Sequence, residues 1–175
     1  MKPFFVLLVT LFALQTIVNG QPITMTAESN SQGKFKSETQ NDKIVLTGAT
    51  LEVTSPTSGT GMSTGRRQHQ PFVIKKPVGA SSAQFMQALI TNDVLRKVVI
   101  EFRGTNEYGE EAVVYKITLD NARVSNFKQT AEIPENTKAP KNVLIDEIRL
   151  TYQKITVESM SSQIMATDDT GQNAR

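Results

Sequence analysis

His69 is the only histidine in the sequence, and it stands in the run Gly65-Arg66-Arg67-Gln68-His69-Gln70. A Ser-His-Asp relay, or a metal site built on several histidines, needs partners that Gln68 and Gln70 do not offer. His69 therefore reads as a structural or interface residue. Arg66 and Arg67 leave two readings open. Their forked guanidinium groups suit carboxylates on a neighbouring subunit, or they form a solvated pair at the start of a strand. Nucleic acid is a poorer reading, because no basic stripe with interleaved aromatics follows. Gly59, Gly61 and Gly65 have the wrong spacing for a phosphate loop, and a strand follows them where a helix is required. Glu107, Glu110 and Glu111 fall on an expected turn, and Asp168 and Asp169 near the C-terminus. Paired carboxylates do acid–base chemistry only in a cleft that pushes their ionisations apart, so all five read as solvated. No regularly spaced oxygen loop for calcium is visible. The chain has no cysteine, which excludes disulfides and thiolate metal sites. No catalytic residue, metal ligand or cofactor-binding residue is expected.

The elements that would position these residues begin after a separate leader. Lys2, the apolar run Phe4–Val18 and the small residues Val18 and Gly20 have the order of a secretory signal cut after Gly20. The run is short for a span of ~20 apolar residues. A lipoprotein anchor would need a cysteine. The whole chain has 19 basic and 17 acidic side chains, and loss of Lys2 leaves a net charge of +1. That near-neutral balance gives no support to a nucleic-acid or membrane-surface role. The remainder is long enough for one domain, since ~150 residues bury about 70% of their unfolded surface.

Strand patterns dominate that remainder. Ile44 and Leu46 alternate on one parity, and Ala49, Leu51 and Val53 on the other, so Gly48 marks a bend. Thr54–Gln70 is rich in glycine and hydroxyls and reads as a long mobile loop, of a length that is often functional. Phe72, Val73 and Ile74 open a strand that Pro77 and Gly79 end. Ser81–Asn92 is the one expected helix, capped by Ser81 with Gln84 in a capping-box position. Phe85, Ala88 and Leu89 form its apolar stripe. Met86, Ile90 and Val94 fall off that stripe, and a bare apolar patch often marks an interface. Val98–Phe102 alternates, Thr105–Glu110 turns, and Val113–Leu119 returns. Parity flips again near Asp120 and Asn121, and once more between Tyr152 and Ile155. Pro134–Asn142 reads as a second loop and Ser159–Arg175 as a disordered polar tail. The fold class is mainly β: a curved, antiparallel barrel or two-sheet domain over residues 21–158 with one short helix on its flank.

Three stretches, in order, resemble the Hcp family of type VI secretion proteins. The first is Gly65-Arg66-Arg67-Gln68-His69-Gln70-Pro71-Phe72-Val73-Ile74-Lys75-Lys76, followed by the serine-started helix. The second is Tyr115-Lys116-Ile117-Thr118-Leu119-Asp120-Asn121-Ala122-Arg123-Val124. The third, and most specific, is Ile148-Arg149-Leu150-Thr151-Tyr152-Gln153-Lys154-Ile155-Thr156. Together they cover most of Thr24–Val157. Two departures stand out: the leader, which is not usual in that family, and Val157 where a tryptophan often follows.

The resemblance implies a β-barrel subunit that closes into six-membered rings and stacks into a hollow tube. Small effectors would ride inside it, and Thr54–Gln70 would help rings meet. The implied partners are copies of the chain itself, type VI secretion components and effector proteins, with no nucleic acid and no membrane once the leader is cut. Met62, Arg66, Arg67, His69, Met86, Ile90 and Val94 are the candidate subunit-interface residues. A rival reading is an exported monomeric binding module of the bacterial envelope for a glycan, a wall component or a protein. Either way the leader places the protein in the periplasm or outside the cell. A secreted hydrolase is the weakest reading, for lack of a nucleophile with a base.

Overall fold

The computed structural model describes residues 22–37, 42–106, 108–132 and 143–170. The leader, Glu107, the loop expected at Pro134–Asn142 and the last five residues lie outside the described residues.

Two curved antiparallel sheets share one strand. β1 (Ile23–Ser29) pairs along one edge with β2 (Gly33–Lys34) and β3 (Ile44–Leu46), and along the other with β8 (Leu95–Thr105). β8 pairs with the first half of β9 (Glu111–Glu132), which also carries β11 (Lys154–Ser159) and, beyond it, β12 (Ile164–Asp169). The second half of β9 turns into the other sheet. There it pairs with β10 (Val143–Thr151), followed by β7 (Phe72–Pro77) and β4 (Gly48–Thr50). The curved two-sheet form is the one adopted, and among the described residues no single sheet closes on itself.

Each parity flip in the sequence marks a change of partner. On either side of Thr47 the chain leaves β1 and joins β7, so β3 and β4 bridge the two sheets. In β9, Ile117 and Leu119 are buried on odd numbers, and Ala122 and Val124 on even ones. Between them Asn121 takes a left-handed φ of 51°, a region asparagine tolerates better than most residues. The facing chain bends at the same level, where Tyr152 and Gln153 separate β10 from β11. Gln153 N donates to Asp120 O at 3.2 Å, and Asn121 Nδ2 donates to Gln153 Oε1 at 2.9 Å. The two strands thus bend as a pair.

The helix α1 (Ala80–Ile90) lies against the sheets through Phe85 and Ala88. Phe35 meets Phe85 edge to face, with ring centroids 4.8 Å apart, and Phe72 is also fully buried. The helix start differs from the sequence expectation. Gly79, not Ser81, is the N-cap. Ser82 rather than Gln84 reaches back, its Oγ accepting from Gly79 N at 2.9 Å. Ser81 and Ser82 are both buried at the helix start.

What Ser82 serves is a buried ion pair. Lys76 and Asp146 face each other across β7 and β10 at inward register positions, 2% and 0% exposed. Lys76 Nζ lies 3.0 Å from Asp146 Oδ2 and also donates to Ser82 Oγ at 2.9 Å and Pro77 O at 2.7 Å. Gln129 Nε2 donates to Asp146 Oδ1 at 2.9 Å, and Ser82 Oγ donates to Oδ2. Every polar atom of the pair is thereby supplied, which is what makes buried charge tolerable.

Two further expectations are corrected. Thr54–Gln70 is not a structureless loop. β5 (Val53–Thr54) pairs with β6 (Gln68–His69), Thr57 bridges Ser63, and the tip turns through Gly61 at φ +81°. Ser58 N donates to Met62 O at 2.8 Å, closing the tip. It is a folded hairpin, called the arm below. Nor is the segment after Ser159 a disordered tail through its described part. Ile164–Asp169 forms β12, paired along its length to β11. Ladder hydrogen bonds hold β12, while Ile164 and Met165 stay 68% and 64% exposed, so no apolar pattern announces it.

Removing one member of the buried pair leaves an uncompensated charge. Asp146→Ala is expected to cost about 3–5 kcal/mol, read from the urea midpoint. Replacing Lys76 and Asp146 together with Met and Leu is expected to cost much less than either single change.

Candidate functional site

The arm base lies against the C-terminal hairpin formed by β11 and β12, and a polar clasp joins them. His69 ends β6, Asp168 is near the end of β12, and Tyr152 sits in the gap between β10 and β11. Arg67 grips Asp168 with two bonds, Nε to Oδ2 at 2.7 Å and Nη2 to Oδ1 at 3.0 Å. His69 Nε2 lies 3.0 Å from Asp168 Oδ2, and His69 Nδ1 lies 2.9 Å from the Tyr152 hydroxyl. The carboxylate only accepts, so Nε2 carries a proton. In the neutral ring Nδ1 then accepts from the phenol O–H. The His69 and Tyr152 rings also meet edge to face at 5.6 Å.

The electrostatics suit fastening. The Arg67 hydrogen bond, followed by that of His69, holds the Asp168 carboxyl below the usual carboxylate range against the opposing effect of burial. Burial, reinforced by the Asp168 charge, pushes the Tyr152 phenol up to about 12. A nucleophile is activated by the opposite shift. Among the described residues no group of three or more acidic, histidine or cysteine side chains could hold a metal ion.

The seven interface candidates fall on different elements. Met62 stands at the arm tip, 71% exposed. Arg66 is exposed beside the clasp, while Arg67 and His69 are inside it. Met86 and Ile90 lie on the outer side of α1, 43% and 67% exposed, and Val94 is half-buried beyond the helix end. The arm thus gathers Met62, Arg66, Arg67 and His69, whereas Met86 and Ile90 belong to a separate helix face. The solvated reading fails for Asp168, whose carboxylate is fully engaged. It holds better for Glu110, exposed at the β8–β9 turn with only a long 3.4 Å bond from Asn106 Nδ2, and for Glu111, which is exposed and meets Arg103 at 3.3 Å. Gly59 and Gly61 shape the arm tip with open space around them.

Sequence reasoning missed Asp168, Tyr152 and Thr170 as members of this site. Tyr152 lies inside the third of the family-like stretches without a role there, and Asp168 falls within the expected polar tail. A cleft of about 450 Å³ opens beside the clasp, lined by Ser55, Ser63, Gly65, Arg66, Arg67, His69, Asp168 and Thr170.

A folded arm, fastened by a polar clasp across a curved two-sheet domain, defines a mainly β fold with one short helix on its flank. The chain belongs to the Hcp family: the family model described as type VI secretion system effector, Hcp, matches residues 19–158. It is 28% identical over 144 residues to the major exported protein of Pseudomonas aeruginosa PAO1, covering 80% of this chain and 82% of that one. Its fold is similar to a crystal structure of an Hcp protein, with a TM-score of 0.76 at 18% identity over 85% of this chain and 97% of that one. It is similar also to the secreted protein Hcp3 of Pseudomonas aeruginosa, with a TM-score of 0.70 at 23% identity over 85% and 97%. The family is one of type VI secretion system proteins.

The clasp has two pH limits. A carboxyl held low in the folded state adds stability that is complete above ~3.9 and is lost as pH falls through its folded value. Asp168→Asn is expected to remove that part of the acid sensitivity, seen as a flatter melting-temperature profile below about pH 4. A phenol held high adds stability that is complete below ~10 and fades as pH rises through its folded value. Absorbance at alkaline pH is expected to show one phenol ionising at about 12. That step disappears in Tyr152→Phe and moves down in Asp168→Asn.

Proposed function

We propose that this chain is a self-assembling subunit that closes into six-membered rings, which stack into a hollow tube able to carry effector proteins. The observation that carries the reading is the extent of the family match: residues 19–158 fit the family model, and the fold spans 97% of an Hcp structure. The leader ending at Gly20 would send the chain through the general export route, so its rings would form in the periplasm or outside the cell.

The surface offers two unlike faces for a closed ring. β12 pairs with β11 on one side, and its other edge presents backbone donors and acceptors beside Ile164 and Met165. On α1, Met86 and Ile90 are bare. A heterologous contact, in which one face meets a different face on the next copy, closes into a ring when the rotation fits. Apolar side chains left bare on a monomer are the usual material of such a contact.

Light scattering after size exclusion on Gln21–Arg175 tests this. A mass near six subunits supports the ring, and a monomer over a wide concentration range overturns it. Met86→Asp is expected to reduce the mass toward that of one subunit with an unchanged circular dichroism spectrum, because Met86 is 43% exposed and outside the core. An unchanged mass would remove the helix face from the contact.

A further inference from the structure

The cleft of about 450 Å³ beside the clasp has two kinds of side chain in its walls: those already bonded within the chain and those left open. Both oxygens of Asp168 are taken, Oδ1 by Arg67 Nη2 and Oδ2 by Arg67 Nε and His69 Nε2. The two ring nitrogens of His69 are used as well. Arg66 is exposed, and its guanidinium makes no ion pair or side-chain hydrogen bond among the described residues. The Ser55 hydroxyl is open in the same way, and Arg67 Nη1 stays outside the grip on Asp168.

The open groups select a chemistry. Two arginines and one aspartate line the cleft, and Arg67 is spent on Asp168, so Arg66 is a cation without a counterion. A guanidinium fork matches the two oxygens of a carboxylate. A ligand ammonium would find no free anion in the cleft, because Asp168 is already engaged, which disfavours free amino acids. Ser63 Oγ gives its proton to Gly65 O at 3.3 Å, and Thr170 Oγ1 gives its own to Gln153 O at 2.7 Å. The lone pairs left on those two oxygens can accept from hydroxyls of a ligand. The cleft has the volume of a small-molecule pocket, well above what a bare inorganic ion fills. A second recess of about 310 Å³ shares Arg67, His69 and Thr170 and continues past Pro71 and Tyr152, which leaves room for a ligand longer than one sugar ring.

We infer that the arm cleft is a binding site for an acidic sugar of the hexuronate class, with its carboxylate on the Arg66 guanidinium and its hydroxyls on Ser55, Ser63 and Thr170. The arm is ordered by its strand pairs and by the clasp, so the cleft is formed before the ligand arrives. Little ordering is then left to oppose binding. The site is complete within one chain and does not rest on assembly. The ion pair it makes is exposed, so affinity falls as salt rises.

Saturation-transfer NMR on Gln21–Arg175 with sodium glucuronate tests this, and it reads binding to a monomer and to a ring alike. Saturable transfer to glucuronate is expected, with little to glucose, which has a similar ring without the carboxylate. Arg66→Gln is expected to weaken binding about tenfold, the worth of one charge-assisted pair. Arg66→Lys keeps the charge without the fork and should weaken it less. Both variants should melt at the temperature of the parent protein, because Arg66 is exposed. Ser55→Ala is expected to weaken binding about threefold. Inorganic phosphate and N-acetyl-dialanine are expected to compete only weakly. No saturable transfer, or equal binding by glucose or by the Arg66→Gln protein, would overturn the inference. Competition by phosphate as strong as that by unlabelled glucuronate would also overturn it, in favour of an unselective anion site. Equally strong competition by N-acetyl-dialanine would overturn it in favour of a peptide carboxylate.

Discussion

The paired bend at Asn121 and Gln153 is the constraint on which the rest of the structure depends. One strand of 22 residues serves both sheets, and side chains alternate along a strand with a period of two. A straight β9 would keep one parity inward throughout. The left-handed residue at 121 resets that parity, so Leu119 and Val124 both reach the core from different sheets. The partner chain must reset at the same level, and it does so by breaking into β10 and β11. Tyr152 is left in the break, and its hydroxyl faces the arm. The geometry that makes two sheets from one ladder therefore also supplies a member of the clasp.

What could be read from the sequence was whatever leaves a periodic trace. The flips at Gly48, Asn121 and between Tyr152 and Ile155 are visible because each separates two apolar series. All three mark real changes of strand partner. Phe85 and Ala88 betrayed the helix face in the same way. What could not be read leaves no such trace. Lys76 continues the inward series of Phe72 and Ile74, but a lysine there looks like the end of a buried face unless its aspartate, seventy residues away, is known. The helix cap was misplaced for a related reason. Ser81 has the residue type of a cap, but Gly79 takes that place, and Ser82, held by the buried pair, bonds back to it. β12 covers no core and is held by backbone bonds, so its composition reads as tail. The arm is a hairpin closed by main-chain hydrogen bonds between small polar residues, which composition alone cannot separate from a loose loop.

The candidate site was half legible. Arg67 and His69 stand out by type: Arg67 as a grip for carboxylates on another subunit or as half of a solvated pair, and His69 as a structural or interface residue. The carboxylate that Arg67 grips lies in the same chain, across about a hundred residues of sequence. That finding divides the two arginines: Arg67 is an internal fastener, and Arg66 remains on the surface. It also gives the structural reading of His69 a definite form, as the link between Asp168 and Tyr152.

The clasp changes the thermodynamics of anything the arm touches. Ordering the backbone of a flexible segment costs roughly 1–2 kcal/mol per residue, and a loose loop of this length would charge that cost to each encounter. Here the strand pairs Val53 with His69 and Thr54 with Gln68, together with the grip of Arg67 on Asp168, order the arm base while the chain is still alone. The entropy is lost at folding, and little remains to be lost at association. A contact made with such an arm can be small and polar and still hold, because it need not also organise one of its own surfaces.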